Sequence, residues 1–326
     1  MISTTSESVF LNRLDRARAE MERTGVDALI LSLGHDLPYL TGYLAMPLER
    51  LTLLVLPRSG KASLIIPRLE APRVHEMPAV FSLAPWNETD DPIALAHELL
   101  GDARTIAVGD QMWSRFLVDL LKFRPDAKYV RSVVVMEALR SRKDADEIAA
   151  LVAAGAAADR VAAQLHAGDI PLVGRTEAQV SADISARLIA EGHQKVNFAI
   201  VAAGENAASP HHHAGDRVIK HGEIVLCDFG GTMNGYCSDI TRCVHIGEPP
   251  ADIAAAYAVL FDAQAAGVAA GVVGGTCESV DAASRGVITA AGYGEWFVHR
   301  TGHGIGMEEH EDPYMVKGNT TLIAPG

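Results

Sequence analysis

Residues 223–244, EIVLCDFGGTMNGYCSDITRCV, consist of two apolar stretches on either side of Asn234-Gly235, a dipeptide that favours the two-residue turn of a β-hairpin. Each stretch carries one aspartate, Asp228 and Asp239. If the turn centres on Met233-Asn234, the two aspartates lie directly opposite each other. If it centres on Asn234-Gly235, they are one diagonal step apart. Directly opposite side chains on one face have Cβ atoms about 4.5–5.5 Å apart. Two carboxylates at that spacing, among Leu226, Cys227, Phe229 and Ile240, repel each other and are costly to bury unpaired. A cation between them resolves the conflict, and carboxylates suit magnesium, manganese or zinc. Solvent-exposed hairpin positions would also hold two aspartates. Acidic residues are depleted from strands, however, and these two interrupt apolar runs.

The hairpin closes a longer unit. Upstream lie an Ala-rich helix that Asp144 or Asp146 could cap, a second helix over TEAQVSADISARLIAEG, and a strand at NFAIVAAG. The order then begins again, with helices at PADIAAAYAVLFDAQAAGVAAG and CESVDAASRGVITAAG and an extended stretch at EWFVHRTGHGIGM. This is an internal structural repeat. A second hairpin is expected next, and the sequence stops at Leu322-Ile323-Ala324-Pro325-Gly326, so the expectation is a catalytic unit truncated at its C-terminus. The first part of the chain alternates probable strands (DALILSL, LTLLVLP, SLIIP, RTIAVGD) with helices (IALAHELL, SRFLVDLLKF) after an amphipathic helix from about Ser6 to Arg23. The pattern predicts an α/β domain over residues 1–135 and a second domain over 136–326.

Composition narrows the function. The net charge of −13 opposes binding to nucleic acid or to an anionic membrane surface. The apolar runs LTLLVLP and EIVLCDFGG fall well short of the roughly 20 residues of a membrane span, and the N-terminus has no apolar core of a secretory signal. Four cysteines (227, 237, 243 and 277) without a C-x-x-C pair fit reduced thiols in the cytoplasm. No G-x-S-x-G or phosphate-binding loop is present.

Histidines add candidates. His299 and His303 have the H-x-x-x-H spacing, but Gly302, Gly304 and Gly306 argue against a helix there. His303, between glycines that permit close backbone approach, is the more ligand-like. His310 lies in the acidic run 308–312, which could equally be a solvated loop, and His211 opens the run 211–213, which reads on its own as a surface loop. Together the residues favour metal-assisted hydrolysis.

Three motifs, CDFGGTMNGYCSDITRCV (227–244), HRTGHGIGMEEHEDP (299–313) and PHHHAGDR (210–217), together resemble the prolidase and Xaa-Pro aminopeptidase branch of the pita-bread metallopeptidases. The resemblance implies an α/β creatinase/prolidase-like N-terminal domain followed by an α+β pita-bread catalytic domain. It implies two divalent cations (manganese, cobalt or zinc), with Asp228 chelating one, Asp239 bridging both and His303 binding the other. It casts His211 and His299 as histidines near the substrate and His310 as the group that steadies the scissile carbonyl. The implied substrate is a proline-containing dipeptide or longer peptide, cleaved before proline by a metal-activated water, and the implied assembly is a homodimer. Two glutamate ligands of that family would follow Gly326; Glu308, Glu309 and Glu311 do not match them by motif. The same fold also hosts creatinase-like metal-free hydrolases and lyases, and a non-enzymatic binding module is a further alternative.

Overall fold

The computed structural model describes residues 5–326, which form two compact units divided between Arg140 and Ser141. The first holds α1 (Glu7–Thr24), β1 (Ala28–Leu31), α2 (Asp36–Thr41), β2 (Leu53–Pro57), β3 (Ala62–Pro67), β4 (Phe81–Trp86), α3 (Pro92–Leu99), β5 (Thr105–Val108), α4 (Ser114–Phe123), β6 (Lys128–Arg131) and α5 (Val133–Arg140). Its six strands run in the order β4-β3-β2-β1-β5-β6, with β1, β5 and β6 mutually parallel. Every residue of β1 is buried, as expected of a central strand covered on both faces. Ile30, Val55, Ile65 and Ile106 pack on one side against Phe116 and Leu120 of α4.

Several elements, among them β4, β6 and α5, had no strong sequence signal. The edge strands β4 and β6 carry Pro85 and the flanking Lys128 and Arg131, which only an edge tolerates well. Residues 133–140, around the expected domain end, form the helix α5, which buries Val135, Met136 and Leu139. Its end is tied to this unit, because the Leu139 carbonyl accepts from Arg16 Nη2 (3.1 Å) and Tyr39 Oη (3.2 Å). The division therefore falls after Arg140, a few residues beyond the 135/136 boundary drawn from sequence.

The second unit opens with α6 (Ala145–Ala167), started by a reciprocal cap in which Glu147 N donates to Asp144 and Asp144 N to Glu147. Then come α7 (Glu177–Ala190), β7 (Lys195–Ala203), β8 (Ile224–Met233), β9 (Tyr236–Cys237), β10 (Ile240–His245), α8 (Ala251–Ala270), α9 (Cys277–Ala290), β11 (Gly302–Gly304) and β12 (Glu311–Met315). The sheet order is β10-β8-β7, with β9 paired to β8. Val161, Leu165, Ile184, Val201, Val225 and Phe229 form its core. Both α6 and α8 are long and apolar enough to cross a membrane, largely through alanine; α6 instead buries seven residues.

The internal repeat is visible in the backbone hydrogen bonds. Gly174 N donates to Ile219 O, and Gly274 N to Ile323 O. Likewise Glu177 N to Arg217 O matches Cys277 N to Thr321 O, and His193 N to Leu188 O matches Tyr293 N to Ile288 O. Both second helices start at a threonine cap, Thr176 and Thr276.

The hairpin turns at Asn234-Gly235, both with positive φ (53° and 85°), and pairs Met233 with Tyr236 and Asp228 with Thr241. Asp239 is thus a same-face diagonal neighbour of Asp228, the second of the two registers open from sequence. Gly230 and Gly231 let the chains close up. A Cβ on Gly230 would sit 2.0 Å from Ser238 O, and one on Gly231 2.5 Å from Lys195 O.

Gly230→Ala should therefore destabilise the protein by about 3 kcal/mol, the upper end of ordinary overpacking. Gly155→Ala, inside α6 with open space around it, should stabilise by about 0.5–1 kcal/mol. Scanning calorimetry of the two variants checks the opposite signs.

Candidate metal centre

Four segments converge at the end of the hairpin. β8 supplies Asp228, the residues just before β10 supply Asp239, β11 supplies His303 and the loop before β12 supplies His310. His303 Nε2 lies 3.3 Å from Asp239 Oδ2, and both side chains are about three-quarters buried, at 22% and 24% exposure. The rings of His303 and His310 meet edge to face, 4.2 Å between centroids. One ligand atom from each of Asp239, His303 and His310 lies within 4.8 Å of the others. His303 Nδ1 donates to the Gly304 carbonyl (2.9 Å), which leaves Nε2 directed at Asp239.

Glycines set this geometry. The β11–β12 register shifts after His303, from His303 opposite Tyr314 to Gly304 opposite Glu311. A Cβ on Gly304 would meet Asp312 O at 2.6 Å, and one on Gly306 would meet the Glu311 carboxylate at 2.6 Å. Glu311 is itself buried and pairs with Lys143 at 3.5 Å, so the acidic run 308–312 is not simply a solvated loop.

Asp228 stands beside the three-residue group rather than in it. Its Oδ1 accepts from Thr241 Oγ1 at 2.7 Å. Burial pushes its carboxyl above the ordinary range, the charge of Asp239 pushes the same way, and the Thr241 hydrogen bond only partly opposes them. His303 is raised, first by its hydrogen bond to Asp239 and against the effect of burial. His310 is lowered, by burial and by the neighbouring His303. One carboxylate and two imidazoles at one point, with a second carboxylate beside them, are a donor set that suits a divalent transition metal, and a cation would relieve the strain on Asp228.

The remaining candidates differ in placement. His211 is exposed and within electrostatic range of Asp228. His299 is exposed and stands apart from the group, its Nδ1 bonded to Arg300 O (2.8 Å) and its ring edge-on to Phe297.

Sequence reasoning missed the brace behind this wall. Asp281 of α9, 1% exposed, accepts from Arg285 Nε (2.8 Å) and Nη2 (2.9 Å), and from the Thr301 hydroxyl (2.8 Å) and amide (3.2 Å). Arg285 also donates to the carbonyls of Phe297 (2.7 Å) and His299 (2.8 Å). The pair thus fixes residues 297–301, the approach to His303. The only hint was an acid and a base four apart on a helix.

Arg285's hydrogen bonds hold the Asp281 carboxyl below its ordinary value of 3.8, despite burial. A depressed carboxylate stabilises the fold above its unfolded-state pKa, and that contribution is lost as pH falls through the folded value. Asp281→Asn should lower stability at pH 7, with the gap to wild type constant above about pH 5 and shrinking below about pH 4. Asp281→Ala, which also strips Thr301 of its acceptor, should cost about 2–4 kcal/mol. Denaturation across that pH range checks both.

Comparison with known proteins agrees with this architecture. Residues 13–142 match the creatinase/prolidase N-terminal domain, and residues 148–326 match metallopeptidase family M24. The probable dipeptidase PepE of Mycobacterium tuberculosis is 44% identical over 326 residues, covering 98% of this chain and 85% of that protein. The crystal structure of dipeptidase PepE from Mycobacterium ulcerans superposes with a TM-score of 0.92 at 43% identity, over 98% of this chain and 86% of that one. Prolidase from Thermococcus sibiricus gives 0.89 at 31% identity, over 96% and 86%. With a creatinase-type N-terminal domain, a pita-bread catalytic unit and this cluster of carboxylates and imidazoles, the chain belongs to metallopeptidase family M24.

Proposed function

We propose that this protein is a cytoplasmic Xaa-Pro dipeptidase that uses two divalent cations, manganese, cobalt or zinc, to hydrolyse the bond before proline. The observation that carries the reading is the packing of Asp239, His303 and His310 within 4.8 Å, beside the half-buried Asp228. Of the relatives above, PepE is named a probable dipeptidase and the Thermococcus sibiricus protein a prolidase. No disulfide joins the four cysteines, and three of them are buried, which suits a reducing compartment. A homodimer belongs to the same reading.

Asp228, Asp239 and His303 would hold the cations, with Asp239 shared between them. Bound there, divalent ions supply Lewis acidity and bring the pKa of a water toward neutrality. The protein's own groups do the rest. His303 keeps its Nδ1 proton on Gly304 O, so Nε2 and the Asp239 carboxylate stay aimed at one point. His310, with its pKa lowered by burial and by His303, is neutral near pH 7 and suited to donate a hydrogen bond to the scissile carbonyl oxygen. His211, on the Asp228 side, and His299 take positions along the substrate. A metal-free, creatinase-like reading leaves the carboxylates of Asp228 and Asp239 with only the His303 imidazole close by as counter-charge.

The test is hydrolysis of Xaa-Pro dipeptides by the protein loaded in turn with manganese, cobalt and zinc. Turnover should vanish on chelation and return with metal. Asp239→Ala should lose metal uptake and at least about 10³-fold in kcat/KM, since it removes the shared ligand. Xaa-Pro hydrolysis that persists under chelation, or in Asp239→Ala, contradicts the assignment.

A further inference from the structure

The triple histidine 211–213 is not used in full by the reading above, and its middle member has a specific partner. His212 Nε2 donates to Glu177 Oε2 at 2.7 Å. Glu177 is the first residue of α7 and has no exposed surface. Its carboxylate also accepts from Ala203 N (2.8 Å), Asn206 Nδ2 (2.9 Å) and Gly215 N (3.4 Å). Burial raises this carboxyl, but the four hydrogen bonds outweigh it and leave Glu177 below the ordinary range, hence ionised. One buried charge thereby gathers the end of β7, the single-turn 3-10 helix Gly204–Ala208 and the loop that carries His211.

The internal repeat shows that the fold does not need an acid here. Cys277 occupies the equivalent place after Thr276, and the same backbone bonds form at that helix start with a thiol in the carboxylate's stead. Burying an ion is expensive and is retained where its partners require it. The partners of Glu177 lie outside its own helix, on both sides of His211.

We infer that Glu177 and His212 are positioning residues, a buried tether that holds the 210–215 loop so that His211 faces the Asp228 side of the centre. This rests on the peptidase reading for the role of His211, but the tether is a property of the loop alone. His212 acts through its neighbour, so removing it should matter only while His211 is present. A merely structural role would lower activity equally in either background.

The experiment is a double-mutant cycle with His211→Ala and His212→Ala on the metal-loaded protein, together with amide exchange across the loop. His212→Ala should lower kcat/KM for an Xaa-Pro dipeptide about 10-fold, mainly through KM, with metal content unchanged. In the His211→Ala background it should have no further effect, and His212→Gln should recover part of the loss. Independently of turnover, His212→Ala should speed amide exchange over residues 210–215 at least 10-fold and leave α7 unchanged. Additive effects in the cycle, or loop exchange unaffected by His212→Ala, would overturn the inference. If wild type does not cleave dipeptides, the peptidase reading fails and the exchange measurement still decides the tether.

Discussion

The carboxylates of Asp228 and Asp239, held on one face of a tight hairpin, are the constraint around which the second unit is organised. Burial alone drives Asp228 toward its neutral form, and Asp239 adds to the pressure. The nearby imidazole of His303 faces Asp239 at 3.3 Å, and the pull it and His211 exert on Asp228 does not offset burial. A site that gathers two carboxylates around a single close imidazole is built for a cation, because an ion of higher charge can offset both at once. The ion in turn explains why His303 is fixed through Nδ1, since a ligand nitrogen needs its other ring nitrogen committed elsewhere.

Close packing of backbone delivers these groups. Gly230 and Gly231 bring β7, β8 and the Ser238-Asp239 segment together, and Gly304 and Gly306 bring the His303 strand onto Glu311. Behind them two helices of the repeat, α7 and α9, each send one buried acid into the segment that follows. Glu177 gathers the His211 loop, and Asp281 with Arg285 fixes the approach to His303. The two halves share a backbone plan but place these acids differently, at the first turn of α7 and one turn into α9.

Much of this was legible in the sequence. The Asn-Gly turn, the aspartates interrupting apolar strands and the glycine-flanked His303 pointed to the centre, and the recurring helix–helix–strand order disclosed the repeat. Cap residues identified α6, where Asp144 rather than Asp146 closes the box. The register stayed open because either centre satisfied the alternation, and only paired positive φ values at Asn234 and Gly235 decide it. Edge strands β4 and β6 were hard to see because β6 fully buries no residue and β4 does so only at its two ends, Phe81 and Trp86. The anchors Glu177 and Asp281 were hidden for another reason: on a helix each looks like any solvated acid, and the segments they fasten, at Ala203 and at Thr301, lie 20 or more residues away. Long-range burial of a charge leaves no local pattern to read.

The most direct measurement is a zinc titration followed through the histidine side-chain nitrogens by ¹H–¹⁵N NMR. The account predicts that His303 Nε2 shifts to a metal-bound position while its Nδ1 proton is retained, and that the shift is abolished when Asp228 and Asp239 are both replaced by asparagine. A His303 imidazole that is unchanged at saturating zinc, or that shifts equally without the two carboxylates, would contradict it.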